Sequence, residues 1–268
     1  MKTITSFQNP LIKQIGLLGS KAKTRREEGL FLVEGLREAG LALEAGYRPV
    51  QLLFDPDCTS AQQVEELCRR SRKEAPEPIA VASAVYEKIA YRSGVPNVLV
   101  LFEMRETDPN DVVLPEKPLV LVLEGLEKPG NLGAILRTAD AAGVDAVLVC
   151  DPATDLYNPN TIRASLGALF TLPVMLGSSE EAWTWLKAHN IPVYATWLEA
   201  GKSLYSCNLS GAIALVMGAE ATGISPFWVE KAEERIIIPM QGQVDSMNVS
   251  ASTAIILFEA VRQRLGGS

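Results

Sequence analysis

The chain has 268 residues, 47% of them apolar and 21% charged, a composition that fits one large folded domain or two ordinary ones and excludes an intrinsically disordered chain. The opening residues hold no apolar run of signal-peptide length, and nowhere does the sequence approach the ~20 uninterrupted apolar residues of a membrane span; a cytoplasmic protein without membrane contact is therefore expected. The net charge of −7 is unevenly spread, because residues 1–105 carry 15 Lys and Arg against 13 Asp and Glu while residues 106–268 carry 10 against 19.

In chain order, helical periodicity covers 10–18 and 35–46, the second ending at Gly46, and apolar strand-like runs occupy 31–33, 50–54, 79–81 and 98–102, with further helices near 60–72 and 83–91. This predicts a small α/β domain over 1–105. Residues 106–118, with three prolines and no periodicity, read as a linker. Beyond it, apolar runs at 119–123, 146–150, 173–176, 191–197, 213–217 and 235–238 alternate with helical patterns at 131–142, 160–169, 180–188, 225–232 and 249–264. Strands apolar throughout and separated by helices predict a parallel sheet covered on both faces over 119–268, with its ligand site at the carboxyl ends of the strands.

Cys58, Cys68, Cys150 and Cys207 form no CxxC pair and read as reduced thiols. His189, the single histidine, lies in a polar stretch at a helix end, so a zinc site built on several imidazoles is excluded and chemistry without histidine or metal is expected. Two basic groups, Lys13, Lys21, Lys23, Arg25 and Arg26, then Arg69, Arg70, Arg72 and Lys73, read either as solvated helix faces or as phosphate-binding patches.

Four segments carry polar residues that a plain scaffold does not require. In EKPGNLGAILRTADAAG (127–143), Asn131 is placed to cap a helix that Gly143 ends, and Arg137 stands alone among apolar residues, either snorkelling off the core or held over a phosphate. In NPNTIRASLGALF (158–170), small residues favour close helix packing, and Arg163 and Ser165 add polar groups. LVMGAEATGISP (215–226) runs from a strand into a glycine-bounded turn bearing Glu220, with Ser225 and Pro226 opening a helix. IIIPMQGQVDSMNVSAS (236–252) gathers Ser246, Asn248 and Ser250 at a helix start, more than one N-cap needs, which points to a ligand there.

Together the four resemble the motif set of the SpoU (TrmH-like) family of RNA ribose 2′-O-methyltransferases, in the SPOUT superfamily. N-x-G-x-x-x-R matches Asn131, Gly133 and Arg137; R-x-S-x-G-A-x-F matches Arg163 to Phe170; G-x-E-x-x-G matches Gly218, Glu220 and Gly223; and I-P-M-x-G-x-x-x-S-[LM]-N-V-S matches Ile238 to Ser250. Ala221 and Met247 stand where many members have Gly and Leu. The openings S-x-x-N-P-x-I-K at Ser6–Lys13 and F-L-V-E-G at Phe31–Gly35 resemble the amino-terminal RNA-binding domain of many members.

The resemblance implies a parallel-sheet α/β SPOUT domain with a carboxyl-terminal trefoil knot, preceded by a small α/β RNA-binding domain. It implies S-adenosylmethionine as cofactor, RNA (ribosomal RNA) as partner and a homodimer. Cofactor contacts carry over to Thr196, Met217, Gly218, Ile238 and Met247. The catalytic set carries over to Asn131, Arg137, Glu220, Ser246 and Asn248, with Glu220 and Asn131 positioning Arg137, and Ser246 and Asn248 holding the ribose. For Arg137 two roles stand side by side, general base or stabiliser of the phosphate and forming alkoxide; a guanidinium keeps its proton at neutral pH, which favours the second. Transfer RNA as substrate, a non-catalytic RNA-binding or ribosome-assembly protein on the same fold, and an unrelated small-molecule enzyme remain alternatives. The absence of a glycine-rich phosphate fingerprint counts against the last.

Overall fold

The computed structural model describes residues 3–91 and 98–266, which form two compact units: Met1–Arg105 with Asp155–Thr171, and Glu106–Thr154 with Leu172–Ser268.

In the first unit the elements run β1 (Thr3–Ile4), α1 (Pro10–Ser20), α2 (Ala22–Glu28), β2 (Leu30–Glu34), α3 (Leu36–Glu44), β3 (Pro49–Phe54), α4 (Ala61–Arg69), β4 (Ile79–Val81), α5 (Ser83–Ile89) and β5 (Val98–Glu103). The helix starts follow local chemistry. Asn9 accepts from the Leu11 N–H with Pro10 at the first helical position, and Ser60 forms a reciprocal capping box with Gln63. The sheet order is β1-β4-β3-β5-β2, parallel through β1, β4 and β3, then antiparallel where β5 pairs with β3 and β2. Ile12, Ile15 and Leu18, three residues apart on α1, are buried, and Ile15 and Leu18 join Leu53, Val81 and Tyr86 in the core.

The second unit carries β6 (Leu119–Glu124), α6 (Pro129–Ala141) and β7 (Ala146–Cys150). The chain then passes through α7 (Pro159–Ser165) and α8 (Ala168–Thr171), which cluster with the first unit. It returns for β8 (Val174–Gly177), α9 (Ser179–Ala188), β9 (Val193–Thr196), β10 (Lys202–Ser203), β11 (Ile213–Met217), α10 (Pro226–Lys231), β12 (Glu234–Ile237) and α11 (Val249–Gly266). All seven strands are parallel, in the order β10-β12-β9-β11-β6-β7-β8. Strands β6, β7 and β11 are buried along their whole length, the both-faces-covered pattern their composition predicts.

Several sequence expectations are corrected. The helix expected over 160–169 is two, because Leu166 (φ 52°) and Gly167 (φ 92°) adopt left-handed backbone, and a Cβ at 167 would collide with Leu41 of α3. Residues 155–171 were expected in the second domain but pack in the first unit. Tyr157 and Phe170 stack with Phe31 there, and Asp155 pairs with the buried Arg25, whose Nε and Nη2 both approach Oδ2 at 2.7 Å. Arg25 is thus an interior ion pair and leaves the first basic group; in the second, Arg69 pairs with Glu65 and Glu66, and Arg70 with Glu44. Residues 106–118 belong to the second unit, where Val112 and Leu114 lie against its core. The edge strands β1 and β10 and the charged helix α2 carry too little apolar periodicity to be foreseen.

Candidate active site

The carboxyl ends of β9, β11 and β12 open into one cavity of about 400 Å³, lined by residues 196–199, 217–223, 236–238 and 245–247, with the first turns of α11 behind. The turn after β11 explains the glycine spacing. Ala219 and Gly223 exchange backbone hydrogen bonds (3.0 and 2.9 Å), so the strand doubles back at once. A Cβ on Gly218 would lie inside the Gly223 carbonyl, and Gly223 has φ 67°. Buried Glu124, at the end of β6, pins the far side of the turn by accepting from Ser225 N (2.7 Å) and Ser225 Oγ (2.6 Å). Ser225 stands at the N-cap of α10, but its hydroxyl serves Glu124 and not the helix.

Glu220, held at the tip of this turn, collects three donors: Lys128 Nζ and Asn131 Nδ2 from the start of α6, and Asn248 Nδ2 (2.9 Å) from the start of α11. Asn248 Nδ2 also lies 3.4 Å from Asn131 Oδ1. The orientation of Asn248 is fixed from its other end, where Oδ1 caps α11 by accepting from Ser250 N at 2.9 Å. Asn131 was expected to cap α6, but Lys128 occupies the N-cap position with Pro129 after it, and Asn131 turns to the carboxylate instead. Glu220 holds the Lys128 ammonium above the usual lysine range. A carboxylate with three donors is an organiser of neighbouring groups, not a free base.

Thr196, Met217, Gly218, Ile238 and Met247, the cofactor candidates, all line the cavity, as do Glu220 and Ser246. Asn131 and Asn248 meet at Glu220. Arg137 does not join them. It is exposed, and among the described residues it makes no hydrogen bond or ion pair. Six residues separate it from Asn131, which turns it by about 120° around α6. Thr196 is committed to the sheet, donating to Val216 O at 2.9 Å.

No local pattern marks Glu199 and Asp245, which with Glu220 supply three carboxylates to a cavity with no Lys, Arg or His among its described lining residues. Lys128 and Glu124 are likewise ordinary in the sequence until the fold brings each its partner. At the end of β7, burial beside Asp151 and Glu124 pushes the Cys150 thiol up to about 12, so it is inert. His189 is exposed against Trp185, and among the described residues no three His, Cys, Asp or Glu side chains are grouped to hold a metal. Nor, among those residues, is any helix long and apolar enough to cross a membrane.

Comparison with known proteins identifies the family. Residues 118–258 match the model of the SpoU rRNA Methylase family, and residues 9–99 that of the MRM3-like substrate binding domain. The chain is 32% identical over 273 aligned residues to a 23S rRNA (uridine(2479)-2′-O)-methyltransferase of Streptomyces viridochromogenes, covering 99% of this chain and 94% of the relative. It is 40% identical over 164 residues to the 23S rRNA (guanosine-2′-O-)-methyltransferase of Escherichia coli (strain K12), covering 60% of this chain and 68% of that one. The crystal structure of an AdoMet-bound rRNA methyltransferase from Sinorhizobium meliloti superposes with a TM-score of 0.88 at 31% identity, covering 97% of both chains. With more than half its length matched by the family model and a full-length relative above 30% identity, the chain belongs to the SpoU rRNA methylase family.

Proposed function

We propose that the protein methylates the 2′-oxygen of a ribose in ribosomal RNA, using S-adenosylmethionine held in the cavity at the ends of β9, β11 and β12. One observation carries the cofactor assignment: the cavity has apolar walls from Met217, Ile238 and Met247 and carboxylates from Glu199 and Asp245, and no Lys, Arg or His is among its lining residues, while the third carboxylate, Glu220, is already paired with Lys128 at the edge. That lining suits a ligand that lays the flat face of an adenine against apolar side chains and, with a sulfonium and an ammonium against one carboxylate, is positively charged overall. When bound, S-adenosylmethionine supplies an already activated methyl, so the protein's task is alignment and proton removal.

The residues divide that task. Glu220 fixes Lys128, Asn131 and Asn248 at the cavity edge. Ser246, exposed on the rim, is placed to hold the ribose. Arg137 orients the adjacent phosphate and stabilises the forming oxyanion.

Since Arg137 turns away from this cluster in its own chain, we infer that a second copy delivers it, and that the protein is a homodimer. An apolar stripe supports this. On α11, which packs on α6, Ala251, Ile255 and Phe258 follow one face, and Phe258 is 48% exposed. We also infer the trefoil knot. In its favour, β12 lies beyond β9 in the sheet, yet the segment after it returns Asn248 to Glu220 and Asn131, across the loop that follows β11. A ribosomal RNA substrate places the protein in the cytoplasm.

Calorimetric titration with S-adenosylmethionine and S-adenosylhomocysteine tests the reading. Saturable binding is expected, with loss in Ile238→Trp, which fills the cavity and leaves the turn at Gly218 intact. Tritium transfer from labelled cofactor to ribosomal RNA lacking the modification follows. A folded protein binding neither compound would sink the enzyme reading and leave a non-catalytic RNA-binding protein on the same fold.

A further inference from the structure

The first unit contains a second cavity, of about 320 Å³, between α1, β2, the end of α5 and α7. Glu38, in its wall, is only 8% exposed, yet among the described residues it makes no hydrogen bond or ion pair. The local backbone explains why. Glu38 is the third residue of α3, from which a glutamate normally reaches back to the N–H of the N-cap. Here the N-cap is Gly35, whose N–H already donates to Val98 O of β5 at 2.9 Å. The carboxylate therefore lies over Gly35, where a Cβ would meet Oε2, with both oxygens left as acceptors. The side chain is thus held almost entirely inside the wall, and the exposure it keeps opens on the cavity, where its two oxygens can accept from a ligand that brings a pair of donors.

The rest of the lining defines that ligand's shape and charge. Ile15, Leu32, Leu99 and Ile162 give apolar walls. Gly16 of α1 has open space where a side chain would stand. Arg163, Lys88 and a second carboxylate, Glu34, also line the cavity, and the Arg163 guanidinium lies 5.5 Å from the centre of the Tyr91 ring, itself 46% exposed. Apolar walls, an aromatic and a guanidinium plane at the mouth, cations for phosphates and a paired acceptor inside are the parts that hold an unstacked nucleobase.

We propose that this cavity binds an unpaired guanine of the substrate RNA, with Glu38 accepting from N1–H and the N2 amino group. Guanine is the base that presents two adjacent donors on one edge to a carboxylate. The inference rests on RNA being the substrate, but it concerns recognition and is read by binding alone.

The test is fluorescence anisotropy of the full chain with labelled trimers UGU, UIU and UAU, without cofactor. The wild type should bind UGU at least about tenfold more tightly than UAU. Inosine, lacking the N2 amino group, should fall between. Glu38→Gln, close in shape, should cut the guanine preference to below about twofold. Gly16→Leu, which fills the open space and favours the helix, should weaken all three trimers. Equal binding of the trimers by folded wild type, no saturable binding, or an unchanged preference in Glu38→Gln would each overturn the proposal. Cofactor titration of the same proteins separates the two readings. Guanine preference without cofactor binding sinks only methyl transfer, and cofactor binding without guanine preference sinks only this inference.

Discussion

Asn248 does two jobs with the two ends of one amide. Its oxygen caps α11 and its nitrogen feeds Glu220. Substitutions separate them. Asn248→Asp keeps an acceptor for the cap and sets a carboxylate against Glu220, so stability should stay near wild type while single-turnover methyl transfer falls about a hundredfold. Asn248→Ala should lose the same transfer rate and also about 1 kcal/mol of stability in urea. Equal stability of the two variants would mean that the cap contributes no more than the repulsion between the two carboxylates costs. Sequence made Asn248, Ser246 and Ser250 conspicuous as a surplus of capping groups, but gave no ground for choosing among them. Only the approach of Glu220 from the turn after β11 assigns the amide nitrogen its work.

At the scale of elements, α11 closes the second unit with a charged cluster as well as an apolar face. Glu259 is buried on it and accepts from Arg262 Nε and Nη2, each at 2.8 Å, and from Gln263 Nε2 at 2.8 Å. These donors hold its carboxyl down to about 2, against 4.5 unperturbed. A carboxylate with a depressed folded-state pKa contributes stability above its unfolded pKa and loses it as the pH falls through the folded value. Stability should therefore drop between pH 4.5 and about 2. Because Arg262 is exposed, screening limits this contribution to about 1 kcal/mol. Glu259→Gln should flatten that part of the acid-unfolding profile, and an unchanged profile would assign the acid limb to other carboxylates.

Element boundaries show why local reading stops where it does. The buried strands β6, β7 and β11 were legible because a both-faces-buried strand must be apolar throughout. The break between α7 and α8 was not, since it depends on Leu41, far away in sequence, occupying the space beside Gly167. Arg25 shows the same limit. In a run of charges it reads as surface, and Asp155 together with the Leu18 carbonyl makes it interior.

For the whole molecule, two consequences follow from residues that serve a partner elsewhere. Asp155–Thr171 belongs to the first unit although it interrupts the sequence of the second. A fragment of residues 106–268 leaves Asp155, Tyr157 and Phe170 without Arg25 and Phe31. It should melt below the full chain and bind a hydrophobic dye, whereas a fragment as stable as the whole would show that these contacts contribute little. The inferred dimer has its own signature. Arg137→Ala and Glu220→Ala proteins should each be nearly inactive. Mixed after unfolding and refolding together, they should regain about a quarter of wild-type activity, because half the chains enter heterodimers with one intact site. No recovery would mean that each chain uses its own Arg137.

Local sequence is enough to specify the two α/β regions, the parallel character of the second sheet and the four segments from which the site is built. Each of these is written in local periodicity or in glycine, proline and capping residues that act over a few positions. Tertiary structure alone decided which polar groups meet. It gave Glu220 its three donors, gathered Glu199 and Asp245 into a cavity without cations, turned Arg137 away from the cluster and set Glu38 in the wall of the second cavity. Hydrogen bonds and desolvation depend on distances set by strand order and helix rotation, and those arise from packing between residues far apart in the chain.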